Sequence, residues 1–277
     1  MNIWQIFLYQ PLINILIFMY QALGSNLGVA IIGTTILVRL ALIPLTMPGM
    51  KSAQKMQELK PELDKLKQKY GNDKQGLAQG QIDLYKKHNI NPFGSLLPTI
   101  LQFLLLIALF QVFTTALKPG ADINSLNSVL YNFVKLPEST QINTQFFYLD
   151  VTKPDVFSLP SPINLGPISI PSIPGLFLIG AVLVQFLSSK VMMVDIGKSV
   201  NKNDKKKNGS SEDMMMSMQK QMMIVGPLMT LIIGINFPSG MVLYWFVISL
   251  TMIFQQWYMQ NKKLTIIKVT KTPNNQQ

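Results

Sequence analysis

The stretch Leu27-Gly28-Val29-Ala30-Ile31-Ile32-Gly33-Thr34-Thr35-Ile36-Leu37-Val38-Arg39-Leu40-Ala41-Leu42-Ile43-Pro44-Leu45-Thr46-Met47 decides the fold class. It carries one charge, Arg39, in a run as long as the roughly 20 mostly apolar residues that carry a helix across a bilayer. Working outward, Met1 to Val38, Asn89 to Leu117, Val156 to Ser189 and Gln221 to Asn261 hold no Lys, Arg, Asp or Glu. Over the whole chain 13% of residues are charged, against about 25% in soluble globular proteins. These tracts predict an all-α membrane protein with a five-transmembrane-helix core bundle.

The expected spans are residues 25–48, 92–116, 174–194, 221–237 and 238–260, the last two separated by a turn at Pro238-Ser239-Gly240. Residues 1–24 are ambiguous: long enough to cross, yet Gln10, Asn14 and Gln21 form a polar stripe and Pro11 interrupts the run. An N-terminal helix lying in the interface is the favoured reading. Residues 49–91 read as a water-exposed helical hairpin. Its seam is Leu59, Leu63, Leu66 and Tyr70, its turn Gly71-Asn72-Asp73, and its returning face Ala78, Ile82 and Tyr85. Residues 117–173 are a proline-rich segment with the aromatic patch Phe146-Phe147-Tyr148, expected on the membrane surface without regular helix. Residues 195–220 form a flexible basic loop and 261–277 a basic tail.

Charge sets the orientation. Met47 to Asn91 has nine Lys and five acids, Lys190 to Gln221 seven Lys and four acids, and the tail four Lys and none. The proline-rich segment has three Lys and four acids. The positive-inside rule therefore puts hairpin, second loop and tail in the cytoplasm, and the proline-rich segment and N-terminus outside. Topology explains most of the net charge of +11, so no specific nucleic-acid partner is needed. The absence of cysteine excludes disulfides, thiolate metal sites and an acylated N-terminal cysteine. No signal peptide or arginine-rich leader is expected, which points to a bacterial cell membrane.

Arg39 is the only arginine in the chain, eight residues before Met47. At 1.5 Å per residue it lies about 12 Å into the helix, inside the hydrocarbon. A guanidinium there costs at least about 2.5–3.5 kcal/mol, and no expected span contains an Asp or Glu. It either snorkels to phosphates or faces a water-filled cavity. Polar residues in the spans favour the cavity: Thr35 one turn away, then Thr99 and Gln102, Gln185 and Ser188, and Ser249 and Gln256. Each amide taken alone is explained as well by an interhelical hydrogen bond. A hydrated, positively charged groove would attract an acidic, hydrophilic segment of another protein and shorten its apolar path. Met222 to Phe237 makes a short span of about 24 Å, which suggests a locally thinned bilayer.

Several motifs together resemble one family. Gly28-Val29-Ala30-Ile31-Ile32 through Leu37-Val38-Arg39-Leu40 and Pro44-Leu45-Thr46 resemble the first core span of the YidC-type insertases, relatives of the Oxa and Alb proteins. Lys51-Ser52-Ala53-Gln54-Lys55-Met56-Gln57, Leu84-Tyr85-Lys86-Lys87-His88 and Asn91-Pro92 resemble that family's cytoplasmic hairpin. Asn236-Phe237-Pro238-Ser239-Gly240 and Leu243-Tyr244-Trp245 resemble the start of its last span. The resemblance implies insertion of membrane proteins without ATP or cofactor, alone or beside the Sec translocon, through a groove open to cytoplasm and lipid. It places Arg39, Gln185 and Trp245 in that groove. It gives the hairpin a part in receiving nascent substrates and, in some members, gives the tail a ribosome contact, for which Lys262, Lys263, Lys268 and Lys271 make a short tail here.

Blander readings stand beside some of these. Trp245 fits an aromatic belt as well as a groove. The methionines at 214, 215, 216, 218, 222 and 223 fit interfacial packing better than substrate capture. His88 complements a helix dipole, and Lys202 to Lys207 read as a solvated cytoplasmic loop rather than an RNA site. An anion transporter or channel is the alternative function. Against it, transport usually uses an intramembrane acid or inverted repeats, and neither is evident. No paired acid and base, metal cluster or phosphate cradle supports an enzyme.

Overall fold

In the computed structural model the described residues are 2–71, 73–91, 96–117, 122–165, 168–197 and 224–270. The helices are α1 (Gln10–Ala22), α2 (Leu27–Glu58), α3 (Lys60–Tyr70), α4 (Lys74–Lys87), α5 (Leu96–Gln111), α6 (Ile123–Asn127), α7 (Leu176–Gly197), α8 (Ile224–Gly234) and α9 (Ser239–Thr270). Two hairpins complete the described chain: β1 (Gln145–Phe146) with β2 (Leu149–Asp150), and β3 (Val156–Leu165) with β4 (Ile168–Pro174). The chain is mainly helical, so the helical membrane class stands. The proline-rich segment is the exception, since strands and the short α6 occupy a region expected to be irregular. Proline tolerates extended backbone, and a two-stranded ribbon is all edge, where a missing N–H costs little.

Two helices, Leu27–Gly49 and Ser239–Tyr258, are long and apolar enough to cross a membrane, with shorter apolar helices at Ile100–Ala116, Leu176–Lys190 and Ile224–Gly234. Three helices begin together around residues 143–155. Leu27 N donates to Asn143 O at 3.0 Å, Gly175 N to Asp155 O at 2.8 Å, and Gly240 N to Val151 O at 2.8 Å. α2, α7 and α9 therefore run in the same direction from one end of the bundle. Asp155, 3% exposed, caps α7 by accepting from Leu178 N at 2.7 Å, a carboxylate placed at the positive end of the helix.

α2 continues unbroken from 27 through the expected boundary at 48/49, with Pro44 and Pro48 inside it. Thr46 Oγ1 bonds the carbonyls of Leu42 and Ile43 at 3.0 and 3.2 Å, adding a side-chain donor where prolines remove backbone ones. Helix α9 likewise runs past 260 to Thr270. Pro11 does not interrupt the N-terminal helix. A π-helical turn at Gln5–Tyr9 leads directly into α1, and its wider ring makes room for a residue without an N–H.

The polar stripe of α1 faces protein. Gln10 donates to Val129 O at 3.2 Å and Gln21 to Val134 O at 3.0 Å. Asn14, 3% exposed, donates to Val129 O at 3.2 Å and accepts from Tyr131 N at 2.6 Å. The stripe thus holds the segment after α6, while Ile13, Leu16 and Ile17 on the same helix are fully buried. Asn14→Leu is expected to leave the Tyr131 N–H unpaired, at about 1–3 kcal/mol, while Val129 O keeps its bond from Gln10. Limited proteolysis between 128 and 134 should accelerate accordingly.

In the α3–α4 pair Leu59 and Leu63 share a cluster with Met56, Leu84, Tyr85 and Ile90. The returning face differs from expectation: Ile82 is exposed and Leu84 buried. A Cβ at Gly80 would come within 2.9 Å of Leu66 and 3.0 Å of Tyr70. Gly76, Gly80 and Leu84 thus line the seam at steps of four, and the glycines admit the bulky residues of α3. His88 Nε2 lies 3.4 Å from Glu62 Oε2 across the pair.

Asp150 in β2 is held below the usual carboxylate range. Burial pushes it upward, but the hydrogen bonds from the Thr152 hydroxyl and N–H, at 2.7 and 3.1 Å, from Lys153 at 3.1 Å and from Thr144 together outweigh it. A depressed folded-state value gives stability that is full above the unfolded aspartate value of about 3.9 and is lost as pH falls through the folded one. Hydrogen exchange at residues 150–153 should therefore rise on acidification below that range, and Asp150→Asn should remove the dependence.

Candidate functional site

Arg39 is 9% exposed, and its Nε and Nη2 are buried without a hydrogen-bond partner. Among the described residues no carboxylate pairs with it. It stands on the wall of a concavity of about 1270 Å³ between α2 and α9. The face Ile32, Ile36, Leu40, Ile43 and Met47 of α2 forms one side, and Leu243 through Tyr258 of α9 the other. Phe146, Phe147 and Phe177 close the end where these helices begin. The walls are largely apolar, with Arg39, Thr251 and Gln255 the main polar side chains on them.

The other residues expected in the groove do not line this concavity. Thr35 is buried and donates to Ile31 O at 2.6 Å. It borders a separate void of about 20 Å³ among Leu12, Leu16, Leu105, Leu109 and Tyr244, room for about one water. Thr34 Oγ1 on the same void has no partner. Gln102 donates through Nε2 to the Tyr244 hydroxyl. This bond joins α5 to α9. Gln185 is half-buried with Oε1 unpaired, its Nε2 close to Gly226 of α8. Ser188, Ser249 and Gln256 are buried. Trp245 stacks on Phe237 at 6.4 Å, which stacks on Phe110 at 5.0 Å. Of the expected set only Arg39 is on the concavity itself; Thr35, Gln102, Gln185, Ser188, Trp245 and Ser249 are not.

Thr99 is in α5, but its side chain lies outside what is described. The methionines at 214–223, Lys202 to Lys207, Asn72 and the tail beyond 270 also lie outside the described residues.

Tyr244 is the residue the sequence reading passed over in favour of Trp245. The available signal was a phenol in an uncharged helical run, since a buried tyrosine hydroxyl needs a partner, and Gln102 supplies it.

Four buried side-chain atoms, on Thr34, Arg39 and Gln185, have no hydrogen-bond partner among the described residues, where buried polar groups are usually paired. A profile of the family described as 60Kd inner membrane protein matches residues 18–265. The chain belongs to this family. Within it, the chain is similar to the membrane protein insertase YidC of Fusobacterium nucleatum, 32% identical over 238 residues that cover 86% of this chain and 88% of the relative. It is also similar to the YidC insertase of Oleidesulfovibrio alaskensis, 29% identical over 259 residues, covering 94% of this chain and 39% of the relative. With the YidC insertase of Clostridium tetani it shares 44% identity over 108 residues, 39% of this chain and 46% of the relative. The chain thus spans nearly the length of the first relative and less than half of the other two. Every candidate residue from Thr35 to Ser249 lies within the family match.

Proposed function

We propose that this chain inserts membrane proteins by receiving their polar segments beside Arg39 and releasing their apolar segments to lipid along the α2–α9 concavity. As a YidC-family member the chain is a membrane protein insertase and not an enzyme. The observation that carries the mechanism is Arg39 itself: a buried cation with unpaired Nε and Nη2 on the wall of a large hollow. Such a charge is retained against its desolvation cost where a transient anionic or hydrated partner offsets it. The apolar walls accept a substrate helix, while Thr251 and Gln255 keep the same path tolerant of polar groups.

The common direction of α2, α7 and α9 supports five crossings, with α5 and α8 returning between them. The basic segments would then lie in the cytoplasm and the 122–174 region outside. The groove residues Thr35, Gln102, Gln185, Ser188, Trp245 and Ser249 would form its hydrated interior, behind the concavity. The substrates are nascent membrane proteins, with the Sec translocon and the ribosome as further partners.

The chain contains no cysteine, so single cysteines at Thr35 and Gln185 report hydration directly. In inverted vesicles a membrane-impermeant maleimide is expected to label both. Full protection at both positions would overturn a wet interior. In proteoliposomes, substrate-saturable anion flux without insertion would replace the insertase mechanism by a transport one.

A further inference from the structure

We propose that the β3–β4 hairpin is a lipid-docking surface that rests on the membrane at the end of the bundle where α2, α7 and α9 begin. The inference does not depend on how substrates pass Arg39. Charge is partitioned sharply here. The proline-rich segment's three Lys and four acids all precede Val156, and no charge follows until Lys190. The hairpin is therefore a neutral ribbon joined at Pro174 to the apolar helix α7, whose first residue, Leu176, is 69% exposed.

Its base is fixed at the point where α7 begins. Asp155 holds α7 through Gly175 and Leu178, Tyr148 donates to the Asp155 carboxylate at 3.2 Å, and Tyr148 stacks on Phe157 at 6.3 Å. Phe157, Ile173 and the neighbouring Phe147 are left exposed, Phe147 by 88%. Toward the tip the register pairs Ile163 with Ile170 and Leu165 with Ile168, while Asn164 pairs with Ser169. None of these pairs carries a charge, and at the base the paired Phe157 and Ile173 leave apolar surface exposed on one face.

The same residues select lipid over other occupants. A lone two-stranded hairpin is marginal in water, so a surface that covers its apolar face stabilises it. A second copy or a peptide strand would add along an edge, but Pro160 and Pro162 in β3 and Pro171 and Pro174 in β4 withhold N–H donors there. A charged protein partner would find nothing to pair with. Neutral residues with exposed aromatics suit the headgroup boundary, where charge is not required.

The experiment places an environment-sensitive nitrobenzoxadiazole label on single cysteines at Phe157, Leu165, Ile168 or Ile173, with Glu138→Cys as control. The full chain is reconstituted in vesicles of phosphatidylcholine and phosphatidylglycerol. Lipid spin-labelled near the headgroup is expected to quench hairpin labels severalfold more than the label at 138, and aqueous iodide severalfold less. Equal responses to both quenchers at hairpin and control positions overturn the proposal. So does loss of iodide access that depends on protein density without lipid quenching, which identifies a second copy instead. Leu165→Glu with Ile168→Glu should return iodide access to a label at Phe157 if lipid is the occupant.

Discussion

Arg39→Ala is expected to block insertion of substrates whose translocated segment carries Asp or Glu, while Arg39→Lys keeps part of the activity and Arg39→Glu none. A contact between unit charges at about 4 Å and an effective dielectric near 20 is worth ~4 kcal/mol. Losing even a third of that from a rate-limiting step slows it roughly tenfold. Lysine restores the charge but lacks the planar fork of donors that would engage a carboxylate through two nitrogens. Neutral translocated segments should be affected less, which separates an electrostatic role from a general loss of fold.

Stability supplies an independent control. Since Nε and Nη2 of Arg39 have no partners in the resting chain, Arg39→Met removes a buried cation without breaking a hydrogen bond at either atom. Its thermal midpoint is expected to equal or exceed that of the unsubstituted chain, the pattern of a functional residue held at a cost to stability. If Arg39→Ala inserted acidic and neutral substrates alike, at normal rates, the cation would have no part in the mechanism. A large fall in thermal midpoint for Arg39→Met would instead make the residue structural.

Hydropathy and charge made the long helices legible, because a run such as Leu27 to Met47 admits few other readings. Contacts between distant segments were not legible. Gln10, Asn14 and Gln21 form a polar stripe whether their partner is a headgroup or a backbone, and only the packed chain supplies Val129, Tyr131 and Val134. The returning arm of the α3–α4 pair was misread because glycine has no apolar side chain to register in a periodicity, although Gly76 and Gly80 make the close contact possible. In the candidate site, lone polar residues in apolar helices could be picked out as a set. The sequence could not divide them between the concavity and the interior behind it, since that depends on helix rotation. Thr251 and Gln255 went unnoticed for the same reason.

The turn Pro238-Ser239-Gly240 was legible as a motif, yet its reason is tertiary, and it yields the second large effect. A Cβ at Gly240 would lie 2.3 Å from Phe113 Cζ and 2.9 Å from the Val151 carbonyl oxygen. The start of α9 cannot easily retreat. Ser239 N donates to Lys153 O at 2.7 Å, Ser239 Oγ to Asp150 O at 2.9 Å, and Gly240 N to Val151 O at 2.8 Å. Gly240→Ala is therefore expected to destabilise by about 1–3 kcal/mol, the usual range for overpacking, and Gly240→Val by more. Phe113→Leu withdraws the ring tip but not the carbonyl, so it should recover part of the loss, visible as a favourable coupling in a double-mutant cycle of thermal midpoints. Because this contact seats α9 against the segment that also starts α2 and α7, Gly240→Val should admit an impermeant maleimide to a Thr35→Cys label from the end where those helices begin. If Gly240→Val unfolded at the normal temperature and left that end closed, the tight seating of α9 would not be what seals the bundle there.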